Sequence, residues 1–121
     1  MATILVVEDN PANMKLAVFL LQSAGHIVLA ATSAEVGLTL ARAEKPHLIL
    51  MDIQLPGMDG LAAIAQLRQD DATRAIPVIA LTALAMKGDE ERIRAAGFDG
   101  YIAKPINYQE FLATVAAELA P

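Results

Sequence analysis

"LILMDIQLPGMDG" spans residues 48–60: four apolar residues, a lone acid at Asp52, then a turn rich in Pro and Gly. A continuous apolar block bounded by turn residues reads as a strand buried on both faces. An acid at the end of such a strand is costly unless something there neutralises or uses it. What lies opposite Asp52 therefore decides the reading.

Outward from this stretch, four further apolar runs occur: "ILVV" (4–7), "IVLA" (27–30), "VIAL" (78–81) and "YIA" (101–103). The segments between them have helical spacing. Val36, Leu40 and Ala43 recur at i, i+4, i+7; Leu61, Ile64 and Leu67 at i, i+3, i+6; Phe111, Val115 and Leu119 at i, i+4, i+8. Asn10-Pro11 predicts an N-cap followed by Pro at the first helical position. "TSAE" (32–35) and "NYQE" (107–110) have the form of capping boxes, and Gly25 and Gly97 follow helical runs as stops. Strand and helix alternate five times, which predicts an α/β fold: a doubly wound parallel sheet with helices on both faces. No linker, low-complexity tract or repeat interrupts residues 1–121, so one domain is expected.

Composition narrows the function. Hydrophobic residues make up 55% of the 121, and mean hydropathy is +0.45, which excludes disorder. No apolar block approaches a membrane span, and "MATILVV" carries neither a basic leader nor a cleavage site. With no Cys, a cytoplasmic protein without membrane association is expected. Nine basic residues against fourteen acidic give a net charge of −5, without a Lys/Arg cluster, so nucleic acid is not an expected partner. Proteins or small ligands are.

The polar residues that close the strands carry the chemistry. The first run ends in Glu8-Asp9-Asn10, the third in Asp52, the fourth in Thr82 and the fifth in Lys104. In open α/β sheets the carboxyl ends of the strands share one rim, where the site sits. Taken singly, each residue reads as a cap, a turn or surface charge. Capping does not explain tandem acids facing a third carboxylate. Three crowded carboxylates repel unless a cation intervenes. An all-oxygen site with room for water and phosphate suits Mg²⁺. Asp52 can then act as a nucleophile that forms an acyl phosphate. Lys104, the Thr82 hydroxyl and the backbone N–H of Ala83 can meet the phosphoryl oxygens.

Together, "ILVVEDN", "LILMDIQLPGMDG", "VIALTA" and "YIAKPI" resemble the receiver domains of two-component response regulators over the whole chain. Within that family the likeness is to the DivK type, single-domain regulators of bacterial cell cycle and polarity. The resemblance implies the chemotaxis-regulator, flavodoxin-like (βα)5 fold with strand order 2-1-3-4-5. It implies that Asp52 is the phosphoacceptor, charged by a sensor histidine kinase or histidine phosphotransfer protein. Asp9, Asp52 and the backbone carbonyl of Gln54 would hold Mg²⁺, with Glu8 acting through water. Thr82 and Lys104 would contact the phosphoryl group, and Tyr101 would be the switch aromatic. Lys104-Pro105 would be cis. The downstream protein target would dock on the face of helix 4, strand 5 and helix 5.

The resemblance implies a switch that catalyses only its own phosphorylation and slow dephosphorylation, not an enzyme with a separate substrate. A Mg²⁺-dependent aspartyl-phosphate phosphatase would need an acid two residues after the nucleophile, where this chain has the amide of Gln54. A flavodoxin-like cofactor binder would need a Gly-rich phosphate loop where "EDNPAN" is anionic. Only Pro121 follows the last helical run, so output through protein contact is expected; a receiver excised from a hybrid kinase or larger regulator is the alternative. His26 and His47 read as strand-edge residues, and Met14, Met51, Met58 and Met86 as core filler and loop anchors. "KGDEER" (87–92) reads as a solvated helix face with pairs such as Lys87–Glu91. Leu84 is expected to shield the phosphorus from water.

Overall fold

A computed structural model describes residues 2–83 and 88–120. Expectations that fall on Leu84, Met86 and Lys87 lie outside these described residues. The chain runs β1 (Thr3–Val7), α1 (Pro11–Ser23), β2 (Ile27–Ala31), α2 (Ala34–Glu44), β3 (Leu48–Asp52), α3 (Gly60–Gln69), β4 (Val78–Thr82), α4 (Asp89–Ala96), β5 (Gly100–Ala103) and α5 (Tyr108–Leu119). All four strand pairings are parallel, in the order β2-β1-β3-β4-β5. This is the expected doubly wound sheet.

Period-two alternation divides the core. Leu5, Val7, Ile49, Met51, Val78 and Ala80 face α2, α3 and α4, in a cluster with Leu38, Ile64, Leu67 and Ile93. Ile4, Val6, Leu48, Leu50, Ile79 and Leu81 face α1 and α5, with Leu20, Leu21, Phe111 and Val115. β3 and β4, inside the sheet, are buried along their whole length. β2, at one edge, is not.

The helical periods are those expected, but the α2 stripe sits elsewhere, and in α3 Ile64 and Leu67 are buried as expected while Leu61 is not. α2 buries Ala34, Gly37, Leu38 and Ala41, and leaves Val36 exposed. α3 buries Gly60, Ala63, Ile64 and Leu67, and leaves Leu61 exposed. The reason is distance to the sheet. A Cβ at Gly37 would lie 2.7 Å from Val7 Cγ2, so the smallest residues mark the closest approach and the larger ones ride at the flank. α5 keeps the expected stripe of Phe111 and Val115, with Leu119 partly buried.

Caps follow the sequence with one slip. Asn10 accepts from Asn13 N–H at 3.0 Å, and Asn107 from the N–H groups of Gln109 and Glu110. For α2 the cap is Ser33, accepting from Val36 N–H at 3.2 Å, one residue beyond the Thr32 that "TSAE" suggests. Asp59, not expected as a cap, closes α3 by accepting from Ala62 N–H. Gly97 (φ 118) ends α4 in the left-handed region, and Gly25 (φ 90) lies just beyond the Ala24 cap of α1. His26 and His47 each accept a backbone N–H at the start of the sheet, from Ala2 and Thr3 through Nδ1. Met51 is buried, and Met14 and Met58 pack partly buried against the core.

Candidate functional site

Register brings the polar strand ends together. Asp52 pairs with Leu81 across β3–β4, and Thr82 with Ala103 across β4–β5. The ladder then runs past the strands: Lys104 N–H donates to Thr82 O at 2.7 Å, Ile53 N–H to Leu81 O, and Glu8 N–H to Ala31 O. Glu8, Asp52, Thr82 and Lys104 therefore share the carboxyl rim of the sheet. Lys104-Pro105 is cis, as the resemblance implies.

Asp52 is held at both oxygens. Oδ1 accepts from its own loop, Gln54 N–H at 2.9 Å, and Oδ2 from Lys104 Nζ at 2.8 Å. The loop can pass this close because α3 begins at Gly60. A Cβ there would lie 2.6 Å from Asp52 O and 2.7 Å from Ile53 Cα. Gly60 N–H donates to Ile53 O, locking the loop back onto the strand.

Glu8 is wholly buried and Asp52 nearly so, whereas Asp9 is exposed. Carboxylate oxygens of the three all lie within 4.8 Å of one another. Glu8 Oε2 accepts from Asn10 N–H, and Oε1 lies 2.6 Å from Lys104 Nζ. That ion pair is the one protein contact Oε1 has among the described residues. Burial first, and the neighbouring Asp52 next, push the Glu8 carboxyl up to about 6. Burial also works against the Lys104 ammonium, but Asp52 and Glu8 outweigh it and raise its pKa above the usual value. Two of the three acids, Glu8 and Asp52, share one ammonium here.

An oxygen-only cluster of three carboxylates, with more negative charge than the one neighbouring ammonium offsets, fits a hard divalent cation such as Mg²⁺. The other expected residues surround it. Thr82 is buried at the end of β4, with exposed Ala83 beside it. Gln54 is exposed next to Asp52. Tyr101, on the edge strand β5, is half-buried and packs against the α2–α3–α4 side of the core.

Sequence reasoning missed the direct Glu8–Lys104 pair and the Gln54 N–H on Asp52. Neither leaves a residue-type signature, since one depends on a side chain's reach and the other on a backbone atom. Gly60 did leave one, a glycine immediately before the apolar face of α3.

Residues 4–116 match the response regulator receiver domain family. The polar-differentiation response regulator DivK of Brucella anthropi is 48% identical over 117 residues, 97% of this chain and 95% of that protein. Among solved structures, the receiver domain of a sensor histidine kinase from Pseudomonas aeruginosa, with magnesium coordinated in its active-site cleft, is 35% identical with a TM-score of 0.90. That match covers 98% of this chain and 97% of the other. The chemotaxis response regulator CheY4 of Vibrio cholerae is 26% identical with a TM-score of 0.93, over 98% and 99% of the two chains.

Proposed function

Because this chain belongs to the response regulator receiver domain family of two-component signalling, we propose that Asp52 is its phosphoacceptor. Such a domain is a phosphoacceptor switch and not an enzyme in the usual sense. One observation carries the assignment to Asp52: it is the nearly buried carboxylate whose two oxygens are fixed by Gln54 N–H and Lys104 Nζ, beside two further acids. An oxygen of Asp52 attacks the phosphorus of a phosphohistidine. The P–N bond breaks as the P–O bond forms, and the imidazole departs.

Asp9, Asp52 and the Gln54 backbone carbonyl would hold Mg²⁺ in this reading, with Glu8 acting through water. The bound ion neutralises charge shared by the carboxylates and the incoming phosphoryl group. Lys104, tied to Asp52 and Glu8 beforehand, turns to a phosphoryl oxygen. The Thr82 hydroxyl and Ala83 N–H serve the others. Gln54, an amide, supplies no general acid, so the acyl phosphate persists long enough to signal.

Residues 1–121 form one receiver domain in this reading, supported by the match over 4–116 and by a sheet drawing strands from the whole span. The phosphodonor is a sensor histidine kinase or a histidine phosphotransfer protein. We assign the output to protein contact at the α4–β5–α5 edge, with Tyr101 on β5 as the switch aromatic. No helix among the described residues is long and apolar enough to cross a membrane, and we place the domain in the cytoplasm. A DivK-type role in cell cycle and polarity rests on 48% identity over 97% of the chain.

Mass spectrometry after incubation with acetyl phosphate and Mg²⁺ tests the core of this. The wild type should gain one phosphoryl group, and EDTA or Asp52→Asn should prevent it. An adduct of undiminished yield on Asp52→Asn would sink the assignment.

A further inference from the structure

Two histidines meet the central part of the sheet at the end opposite Asp52. His26 stands just before β2 and His47 just before β3, and these strands are the two neighbours of β1. His26 Nδ1 accepts Ala2 N–H at 3.2 Å, and His47 Nδ1 accepts Thr3 N–H at 3.0 Å. Backbone bonds return from each side: Ile27 N–H donates to Ala2 O at 2.9 Å, and His47 N–H to Thr3 O at 2.8 Å. The imidazoles stand in for ladder carbonyls that the neighbouring strands begin too late to offer.

In a neutral imidazole one nitrogen carries the proton and the other accepts. With Nδ1 accepting, the proton sits on Nε2, and neither ring has a lone pair left for a metal ion. A second proton has to go on Nδ1, where it would face the N–H of Ala2 or Thr3. An imidazolium has no acceptor, so each bond exists only with a neutral ring. Histidine ordinarily changes charge at about pH 6.5.

Both rings line one cavity of about 380 Å³ with Ala2, Glu118 and Leu119, so each has room to turn once its bond is lost. Glu118, on α5, is the charged group that shares this cavity. Its carboxylate attracts a positive ring, whereas the β1 N–H groups repel one. Ala2 and Thr3 bring no charged side chain, and Glu44 and Lys45, shortly before His47, are exposed and line no part of the cavity.

We propose that His26 and His47 form an acid-released clasp on the start of β1. Neutral, they tie it to the starts of β2 and β3; protonated, they let it go and turn toward Glu118. The clasp lies at the far end of the sheet from Asp52 and works whether or not that residue carries phosphate. It makes the start of the central strand the part of this domain that answers to acidification.

Two NMR measurements on the whole, isotope-labelled chain test the clasp. Imidazole nitrogen shifts identify the tautomer. At about pH 7.5 both rings should carry the proton on Nε2 and none on Nδ1. A proton on Nδ1 of either ring at that pH would overturn the clasp.

The second measurement is amide exchange, corrected for the intrinsic effect of pH. Relative to Leu50 and Ile79 inside the sheet, protection at Thr3 and Ile27 should fall about fivefold or more between about pH 7.5 and about pH 5, the size of one lost hydrogen bond. His47→Asn and His26→Asn, whose side-chain carbonyls accept at any pH, should abolish the fall at Thr3 and at Ile27 respectively. A fall that persists in these variants, or none in the wild type, would overturn the proposal. Glu118→Gln should need more acid for the same fall, and an unchanged midpoint would overturn the turn toward Glu118.

Discussion

At the scale of single residues, the site is a contest of two buried acids, Glu8 and Asp52, for one ammonium, and its outcome depends on pH. The Glu8 carboxyl, at about 6, stands above its ordinary 4.5, because burial and Asp52 both disfavour its charge. A carboxyl raised by folding contributes stability that is fully present below 4.5 and lost as pH rises through about 6. Between those values, metal-free protein should therefore become more stable to denaturant as the solution is acidified, as far as this group is concerned. A divalent cation needs the opposite state, a deprotonated cluster. Mg²⁺ binding should weaken by several-fold, up to about tenfold, between pH 7 and pH 5, as Glu8 takes up a proton. Glu8→Gln should flatten that dependence. Calorimetric titration with MgCl₂ at several pH values measures it, and a wild-type affinity independent of pH would remove Glu8 from the metal's electrostatics. Lys104 deserves a separate test, because its pKa is raised by the same two acids. Lys104→Arg should phosphorylate poorly, since a planar fork replaces a compact charge 2.8 Å from Asp52 Oδ2. Full phosphate uptake by that variant in the acetyl phosphate assay would show that any cation suffices.

At the scale of the elements, distances of approach decide more than hydrophobicity does. Gly60 begins α3 directly over the exit of β3, and a methyl group there would fall 2.6 Å from Asp52 O. Gly60→Ala should cost about 1–3 kcal/mol of stability by forcing the loop outward. It should also slow phosphorylation, because the Gln54 N–H that fixes Asp52 Oδ1 belongs to that loop. Urea unfolding reads the first effect; normal stability in Gly60→Ala would mean that the loop gives way without penalty. Lys45 makes the converse case, a non-glycine residue in the left-handed region (φ 45) at the end of α2. Lys45→Gly should stabilise by the order of 0.5 kcal/mol, the relief of the Cβ clash less the entropy of the freer chain. An unchanged or lower denaturant midpoint would argue against that balance. These two positions also show where the sequence was legible. Continuous apolar runs identified all five strands; in β3 and β4 this is because strands buried on both faces leave no room for polar residues. The convergence of Glu8, Asp9, Asp52, Thr82 and Lys104 followed from topology alone. The stripe of α2, and Leu61 in that of α3, were misjudged because large side chains were taken to mark the buried face. Against a flat sheet the buried face is where Gly37, Gly60, Ala34 and Ala63 let the helix close in. The bonds that Arg68 donates to Gly97 O, Arg74 O, Ile76 O and Asp99 Oδ2 were illegible, since three of the four acceptors are carbonyl oxygens, which every residue carries.

At the scale of the whole molecule, the question is how a change confined to one rim reaches a surface that a partner can read. Thr82 ends β4 and Tyr101 lies on the neighbouring β5, where Ala80 and Tyr101 are register partners. A phosphoryl group on Asp52 adds acceptors, and the Thr82 hydroxyl can move toward one to form a charge-assisted hydrogen bond. That movement frees space beside the edge strand, and a half-buried ring is well placed to fill it. The phosphoryl group can only shift an equilibrium already present, so the two positions of Tyr101 must differ by no more than a few kcal/mol. In the proposed reading Thr82 is the coupling element and Tyr101 the reporter. Thr82→Ala should still take up phosphate from acetyl phosphate, at a reduced rate, since Lys104 and the Ala83 N–H remain. Its Tyr101 ring resonances, however, should no longer move when beryllofluoride and Mg²⁺ are added. Wild-type protein measured in parallel should show both the shifts around Asp52 and the shift of the Tyr101 ring. A Tyr101 that responds equally in Thr82→Ala would mean that the signal crosses from β3 to β5 by another route. A Tyr101 that never responds in the wild type would leave it an ordinary edge-strand aromatic, with its ring on the core and its hydroxyl in water.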